Sequence, residues 1–129
     1  MQEQEIIEGN AIIAVFDNYN IEYVNGKRYF TLDDMVEALC DEELHYHSSW
    51  DLLMPIVEKI ENLKLSTETG DNIYFRLVII ENEVRIDKRN SRLAIWENLI
   101  DIPIDIRRHK KQAIWLVIVE FLKWLKYQK

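Results

Sequence analysis

The sequence predicts a single α+β domain over residues 1–129, and three features indicate this fold class. A central segment has the spacing of an amphipathic helix. Two other segments have the composition of β-hairpins, and the C-terminal segment is apolar around most of a helical circumference. A helix of that last kind must be buried, so we expect two or three helices packed on antiparallel strands.

The central helix is expected to begin at Ser48–Asp51 and to run for about four turns. A serine hydroxyl there can accept a hydrogen bond from a free backbone N–H, and the Asp51 carboxylate meets the positive end of the helix dipole. Pro55 falls on the polar side, where it bends the helix without ending it. Steps of about 100° per residue put four apolar side chains on one face: Leu53, Ile56, Val57 and Ile60.

Before this helix, the chain suggests a short helix and a hairpin. Asn10 is expected to cap a helix through Ala11–Phe16. Its inward side chains would be Ile12, Val15 and Phe16. Ile21–Val24 and Lys27–Phe30 then flank Asn25-Gly26, a dipeptide that tolerates positive φ at both positions and predicts a tight hairpin turn.

A second short helix is predicted between the hairpin and the central helix. Thr31–Asp34 has the form of a capped helix start, and the apolar residues that follow keep helical spacing to about Cys40. Asp41–Glu43 is interpreted as a solvated acidic connector.

After the central helix, a polar loop over Ser66–Asn72 precedes a second hairpin. Its strands are expected at Ile73–Ile80, which is rich in β-branched and aromatic residues, and at Val84–Ile86. Lys88–Arg92 is interpreted as a basic loop.

The C-terminal part predicts one strand and one helix. Isoleucines alternate with polar residues and a proline over Ile100–Ile106, as in a half-buried strand. Pro103 cannot donate a hydrogen bond to a neighbouring strand, so this strand should lie at a sheet edge. A buried helix is expected over Arg107–Tyr127, and the indoles of Trp96, Trp115 and Trp124 in the core.

Charge is uneven along the chain. Residues 1–62 hold 14 acidic and 3 basic side chains, a net −11, whereas residues 63–129 hold 9 acidic and 13 basic ones, a net +4. A strongly acidic half argues against a general nucleic-acid binder, because such proteins gain affinity by neutralising phosphates. Direct binding of nucleic acid is therefore not expected.

The cellular compartment is predicted from three absences. Cys40 is the only cysteine, so no disulfide can form within the chain, which fits a reducing cytosol. The N-terminus is acidic where a secretory signal would be basic. The longest uninterrupted apolar run, Ala113–Val119, is far short of the roughly 20 residues of a membrane helix. We expect a cytoplasmic protein with no membrane partner.

The run Tyr46–Glu61, YHSSWDLLMPIVEKIE, carries a resemblance. It is similar to the run YHSSWDWLMPVVEKIE of small uncharacterised proteins in phages and prophages of Bacteroidetes bacteria, with Leu52 in place of the second tryptophan. Ile13–Phe16 is similar to the family's N-terminal IAEF, and Ala113–Trp124 to its C-terminal AVVEFIKW. The resemblance implies a phage or prophage origin and a place in the host cytosol; it implies no particular activity.

His45 and His47 form the first candidate site. In an extended segment both side chains project from one face, and with Asp51 or Cys40 nearby they could hold Zn²⁺ or another divalent metal. A metal-bound water could then carry out hydrolysis. No second cluster supplies the remaining ligands, so capping and packing around Trp50 is the favoured interpretation, and no metal or other cofactor is predicted.

Cys40 is the second candidate. It could act as a nucleophile with His45 or His47 as its base. No glycine for an oxyanion hole accompanies it, so it is interpreted as a small buried thiol.

Tyr46 and Trp50, at the entrance to the central helix, are predicted to lie part-exposed and to anchor a partner. The leading hypothesis is a non-enzymatic binding protein that acts on a host or phage macromolecule, most simply a protein. Two alternatives stay open: a metal-dependent hydrolase or nuclease that uses His45, His47 and Asp51, and an acidic mimic of nucleic acid. The predicted edge strand also leaves a homodimer open.

Overall fold

The computed structural model describes residues 2–33, 37–93, 95–104 and 109–128. Within them the chain forms three α-helices and two antiparallel sheets, which confirms the predicted α+β class. The helices are α1 (Glu3–Phe16), α2 (Trp50–Glu61) and α3 (Lys110–Lys126). None of the helices in these ranges has the length and apolar character needed to cross a membrane.

The first sheet has the strand order β1 (Asn20–Val24), β2 (Lys27–Thr31), β3 (Leu39–Cys40). Its β1–β2 hairpin is confirmed, and the turn residues Asn25 and Gly26 have φ values of 54° and 77°. Positive φ at both positions is what the predicted two-residue turn requires.

The prediction of a helix that ends near Cys40 is wrong at its C-terminal end. Leu39 instead pairs with the fully buried Phe30 as a strand residue, because this pairing brings it against the core. Residues 34–36 of the predicted helix lie outside the described residues. Asp41–Glu43 then forms a single 3₁₀ turn.

The second sheet has the order β4 (Lys64–Ser66), β5 (Asn72–Ile80), β6 (Glu83–Asn90), β7 (Glu97–Pro103). The predicted hairpin is confirmed as β5–β6, and β7 lies at the sheet edge as predicted. The position of Ile106 is outside the described residues.

The predicted basic loop at 88–92 is wrong over its first part. Lys88 and Arg89 continue β6 and pair with Phe75 and Tyr74 of β5. The long apolar and aromatic strand β5 provides these partners, so β6 extends beyond the short apolar stretch that marked it in the sequence. Ser91 and Arg92 do form a turn.

Helix α1 is longer than predicted, and it turns a different face inward. Asn10 is a buried residue in its interior, so the predicted capping role is wrong. Glu3 and Glu5 lie in the first turn, where carboxylates interact favourably with the helix dipole. Val15 is 51% exposed. The buried face consists of Gly9, Asn10, Ala11, Ile13 and Ala14.

Helix α2 matches its prediction closely. The Ser49 hydroxyl accepts a hydrogen bond from the backbone N–H of Leu52 at 3.4 Å, which makes Ser49 the N-cap. All four predicted core residues are buried, and the helix packs against β5. Pro55 lies inside the helix and is exposed, as expected.

Helix α3 forms the centre of the core, as predicted for an apolar helix, between α1 on one side and β6 and β7 on the other. Trp115 is fully buried where α1 and α3 meet. The two helices approach so closely there that a Cβ added to Gly9 would lie 2.3 Å from Cζ2 of Trp115. Trp124 packs partly buried against the core, as predicted. The predicted core position of Trp96 is wrong, because its ring lies partly buried beside Arg76 instead. Arg107 and Arg108 are outside the described residues.

Candidate functional site

The signature segment, residues 44–50, connects all three helices. Asn10 of α1 donates its side-chain N–H to the Leu44 carbonyl at 2.9 Å. Lys111 of α3 donates to the Ser48 carbonyl at 3.1 Å, and Ser49 caps α2. Residues 44–50 therefore link the three helices to one another.

Tyr46 is only 4% exposed, so the prediction that it lies part-exposed is wrong. Its hydroxyl donates to Asp17 Oδ2 at 2.8 Å, and Asp17 also pairs with Lys59 of α2. Burial, and then the hydrogen bond to Asp17, raise the pKa of Tyr46. Trp50 is 39% exposed as predicted, with Lys111 Nζ 6.0 Å from the centre of its ring. Of the two predicted partner-binding residues, only Trp50 is accessible.

A buried hydrogen-bond network around Asn10 determines which ring nitrogen of His47 carries the proton. The Trp115 indole can only donate, and its Nε1–H reaches Asn10 Oδ1 at 2.9 Å. The Asn10 amide nitrogen must therefore face the opposite way, where it lies 2.9 Å from the Leu44 carbonyl and 2.8 Å from His47 Nδ1. Because that nitrogen donates, Nδ1 is the acceptor and the neutral His47 ring carries its proton on Nε2.

The pKa of His47 is lowered by burial, and further by His45 and Lys111. The ring lines a cavity of about 340 Å³ together with His45 and Leu44. Carboxylates from α1 and from the 3₁₀ turn also line it: Glu3, Asp41 and Glu42. One of them, Asp41, is paired with Arg28 at 2.9 Å. Acids of two elements therefore meet at this cavity. The nucleic-acid-mimic hypothesis predicts a contiguous negative face, and it stays a prediction.

The candidate metal site is not assembled. The rings of His45 and His47 are 6.3 Å apart, and His47 Nδ1 already accepts from Asn10. Across the described ranges, no group of three or more His, Cys, Asp or Glu residues is placed to hold a metal ion. The structure therefore does not bring His45, His47 and Asp51 together as a ligand set.

Cys40 does not have the surroundings of an activated nucleophile. Its thiol donates to Glu43 Oε1 at 3.1 Å, and this hydrogen bond is the largest cause that raises the pKa of Cys40. A nucleophilic cysteine needs the opposite shift, because the thiolate is the reactive form. The side chain is partly rather than fully buried, so the predicted buried thiol is correct only in part.

An apolar groove runs between α1, α3 and the β1–β2 hairpin. It encloses about 730 Å³, and most of its lining is aliphatic or aromatic. Its charged residues lie on different elements: Glu8 on α1, Lys126 on α3 and Arg28 on β2. The apolar lining residues are Ala11, Ile12, Val15, Phe16, Ile21, Leu122 and Leu125. Such a groove can accept apolar side chains from another molecule.

Comparisons with family models, with curated proteins and with solved structures find no match for this chain.

Sequence reasoning missed the groove. Its residues were assigned to the interior, since Ile12, Val15 and Phe16 were predicted as the buried face of α1. Gly9, whose lack of a side chain lets α1 approach Trp115 of α3 closely, marks one side of α1. Ile12 and Phe16 follow it by three and seven residues and lie near that same side, so Gly9 does not separate the groove side of α1 from its buried side.

Proposed function

We propose that this chain is a non-enzymatic binding protein that recognises a host or phage protein through the groove between α1 and α3. The observation that carries the proposal is the groove itself, an apolar concavity of about 730 Å³ bordered by Val15, which is 51% exposed, and Ile21, which is 38% exposed. Contiguous exposed apolar surface is typical of a protein-interaction site.

The occupant that fits this groove is an amphipathic helix of the partner. Two helices form the walls, and a third helix that places its apolar stripe between them completes a three-helix contact. The charges on the walls have opposite signs, with Glu8 on α1 and Lys126 on α3. A partner helix with basic residues towards α1 and acidic residues towards α3 would satisfy both.

The phage or prophage origin and the action in the bacterial cytosol rest on the resemblance of Tyr46–Glu61. They identify the lysate in which a partner should be sought, that of a Bacteroidetes host. Asn10 and Lys111 join the signature segment to the helices that form the groove walls, so this segment contributes to the fold and not to the binding surface itself.

The test is capture of a partner by three forms of the tagged chain: wild type, Val15→Lys and Ile80→Lys. Ile80 is 39% exposed at the end of β5 on the other sheet, so it is a control for an added charge at an exposed apolar position. We expect the purified partner to bind Val15→Lys at least about ten-fold more weakly than wild type, because an anchor in an apolar groove typically contributes more than about 1 kcal/mol. Binding to Ile80→Lys should be unchanged.

Two results would contradict the proposal. A captured protein that binds Val15→Lys as tightly as wild type would place the binding surface elsewhere, with Trp50 as the next candidate to substitute. If sedimentation shows that wild type is a dimer and Val15→Lys a monomer, the groove is occupied by a second copy of the chain.

A further inference from the structure

Three guanidinium–aromatic contacts share the outer face of the four-stranded sheet. Tyr74 pairs with Arg89 across β5 and β6, and Arg76 pairs with Asp87 two residues along, so these side chains project from one face. The Arg76 guanidinium carbon lies 4.4 Å from the centre of the Trp96 indole. That of Arg89 lies 5.2 Å from the same ring and 5.4 Å from the ring of Tyr74. We call Tyr74, Arg76, Arg89 and Trp96 the arginine face.

This face is directed away from the helices. Phe75 and Ile86, whose side chains alternate with those of the arginine face along β5 and β6, are buried in the core that α2 and α3 complete. The side chain of Arg76 remains 40% exposed. The arginine face is therefore accessible from solvent.

The charges of the arginine face are unevenly paired. Asp87 is only 2% exposed and pairs with two guanidinium groups, Arg76 at 3.2 Å and Arg85 at 3.1 Å. Arg85 is also paired with Glu83 at 3.6 Å. Arg89 has no ion pair within the described ranges, and its buried Nε has no hydrogen-bond partner there. Lys64 on β4 lies opposite Tyr74 and adds a further positive charge. The arginine face therefore keeps an excess of positive charge beside its two aromatic rings.

We propose that the arginine face binds single-stranded nucleic acid. Unpaired bases stack on aromatic rings and on guanidinium planes, and the phosphates between them need nearby positive charge. The arginine face supplies both at neighbouring positions. An acidic protein segment would use the charges but not the rings. A duplex keeps its base faces stacked inside, so it offers no free face to the rings.

The net charge of −7 does not oppose this proposal, because the acids are concentrated elsewhere. Residues 1–62 carry a net −11 and residues 63–129 a net +4, and the arginine face belongs to the second part. The expectation from the sequence that nucleic acid is not bound rested on the acidic half, and Lys88–Arg92 was interpreted as a basic loop. Arg89 instead lies in a strand, beside the rings of Tyr74 and Trp96.

The experiment measures fluorescence anisotropy of labelled oligothymidylate and oligouridylate with the full chain at low salt. We expect binding by wild type that weakens as salt is added, since phosphate contacts release counterions. Arg89→Ala should weaken binding about ten-fold, in the range measured for loss of one stacking contact. Arg89→Lys should give an intermediate loss, because it keeps the charge but not the planar group. Trp96→Phe should bind close to wild type and Trp96→Ala weakly.

Lys126→Ala is the control, because it removes one positive charge from the far side of the molecule, at the groove. It should change the affinity less than about two-fold. The proposal is overturned if wild type does not bind either oligonucleotide at low salt, or if Lys126→Ala loses as much affinity as Arg89→Ala. Equal binding of polyglutamate or of duplex DNA would also overturn it, by showing that charge alone is recognised. The arginine face and the groove do not overlap, so these results leave the proposed protein binding to its own test.

Discussion

The two sides of α1 have opposite surroundings. On one side, Asn10 is buried and uses its amide to join Trp115, His47 and the Leu44 carbonyl. On the other side, Val15 is exposed beside an apolar groove that no described element fills. The first side has paired all its polar groups and is complete, whereas the second still exposes apolar surface. The comparison indicates that the side with recognisable chemistry maintains the fold and that the side without it is available to a partner.

On the buried Asn10 side of α1, Asn10→Ala is expected to lower the free energy of unfolding the most. The substitution leaves the Trp115 indole N–H and the Leu44 carbonyl buried without this partner, and each such group costs about 1–3 kcal/mol. We expect the free energy of unfolding, measured with denaturant, to fall by about 3 kcal/mol. Asn98→Ala on the exposed part of β7 is the control and should change it by less than about 0.5 kcal/mol. A small loss for Asn10→Ala would mean that the network does not hold the helices together.

Gly9→Ala tests the close approach of α1 and α3. Alanine favours a helix over glycine by about 1 kcal/mol, so propensity alone predicts stabilisation. The added Cβ would lie 2.3 Å from Trp115, however, and a displaced core indole costs about 1–3 kcal/mol. We expect a net loss of up to about 2 kcal/mol in the free energy of unfolding. A more stable variant would contradict the close contact of the two helices.

Tyr46→Phe should have a smaller effect of about 1 kcal/mol, because it removes one hydrogen bond and Asp17 keeps its contact with Lys59. Tyr23→Phe on the exposed hairpin is the matched control, with no expected change in the free energy of unfolding. Equal stability of the two variants would show that the Tyr46 hydroxyl does not anchor the signature segment.

The smallest effect is a dependence of stability on pH through His47. Its folded-state pKa is lowered by burial, so the unfolded chain takes up this proton first, near pH 6.5. His47 therefore makes its full contribution to the stability of the fold above about pH 6.5. This contribution is lost as the pH falls towards the folded-state pKa. Through His47, the free energy of unfolding changes by at most about 1.4 kcal/mol per pH unit.

The measurement is the free energy of unfolding of wild type and of His47→Gln between about pH 7 and pH 5. Glutamine can accept from Asn10 and does not titrate, so the difference between the two curves isolates His47. If the two curves of free energy against pH were parallel, they would contradict the assignment of a neutral His47 ring in the folded protein.

Elements with a local signal could be predicted from the sequence, and those that depend on distant contacts could not. The start of α2 is marked by Ser49 and the first hairpin by Asn25-Gly26, and both are correct. The first half of α1 is polar and has no apolar period. Asn10 in its interior bonds to Trp115, which lies 105 positions away in the sequence. The groove could not be predicted for the same reason, since ordinary aliphatic residues of α1, β1 and α3 become a surface only when the three elements meet.

The difference between the two sides of α1 is tested most directly by measuring both stability and partner binding for two variants, Asn10→Ala and Val15→Lys. We expect opposite patterns: Asn10→Ala loses about 3 kcal/mol of stability but, while folded, binds the captured partner with nearly wild-type affinity. Val15→Lys keeps its stability and loses binding. Val15→Lys that binds normally, or losses of stability and binding that occur together in both variants, would contradict the division between the two sides of α1.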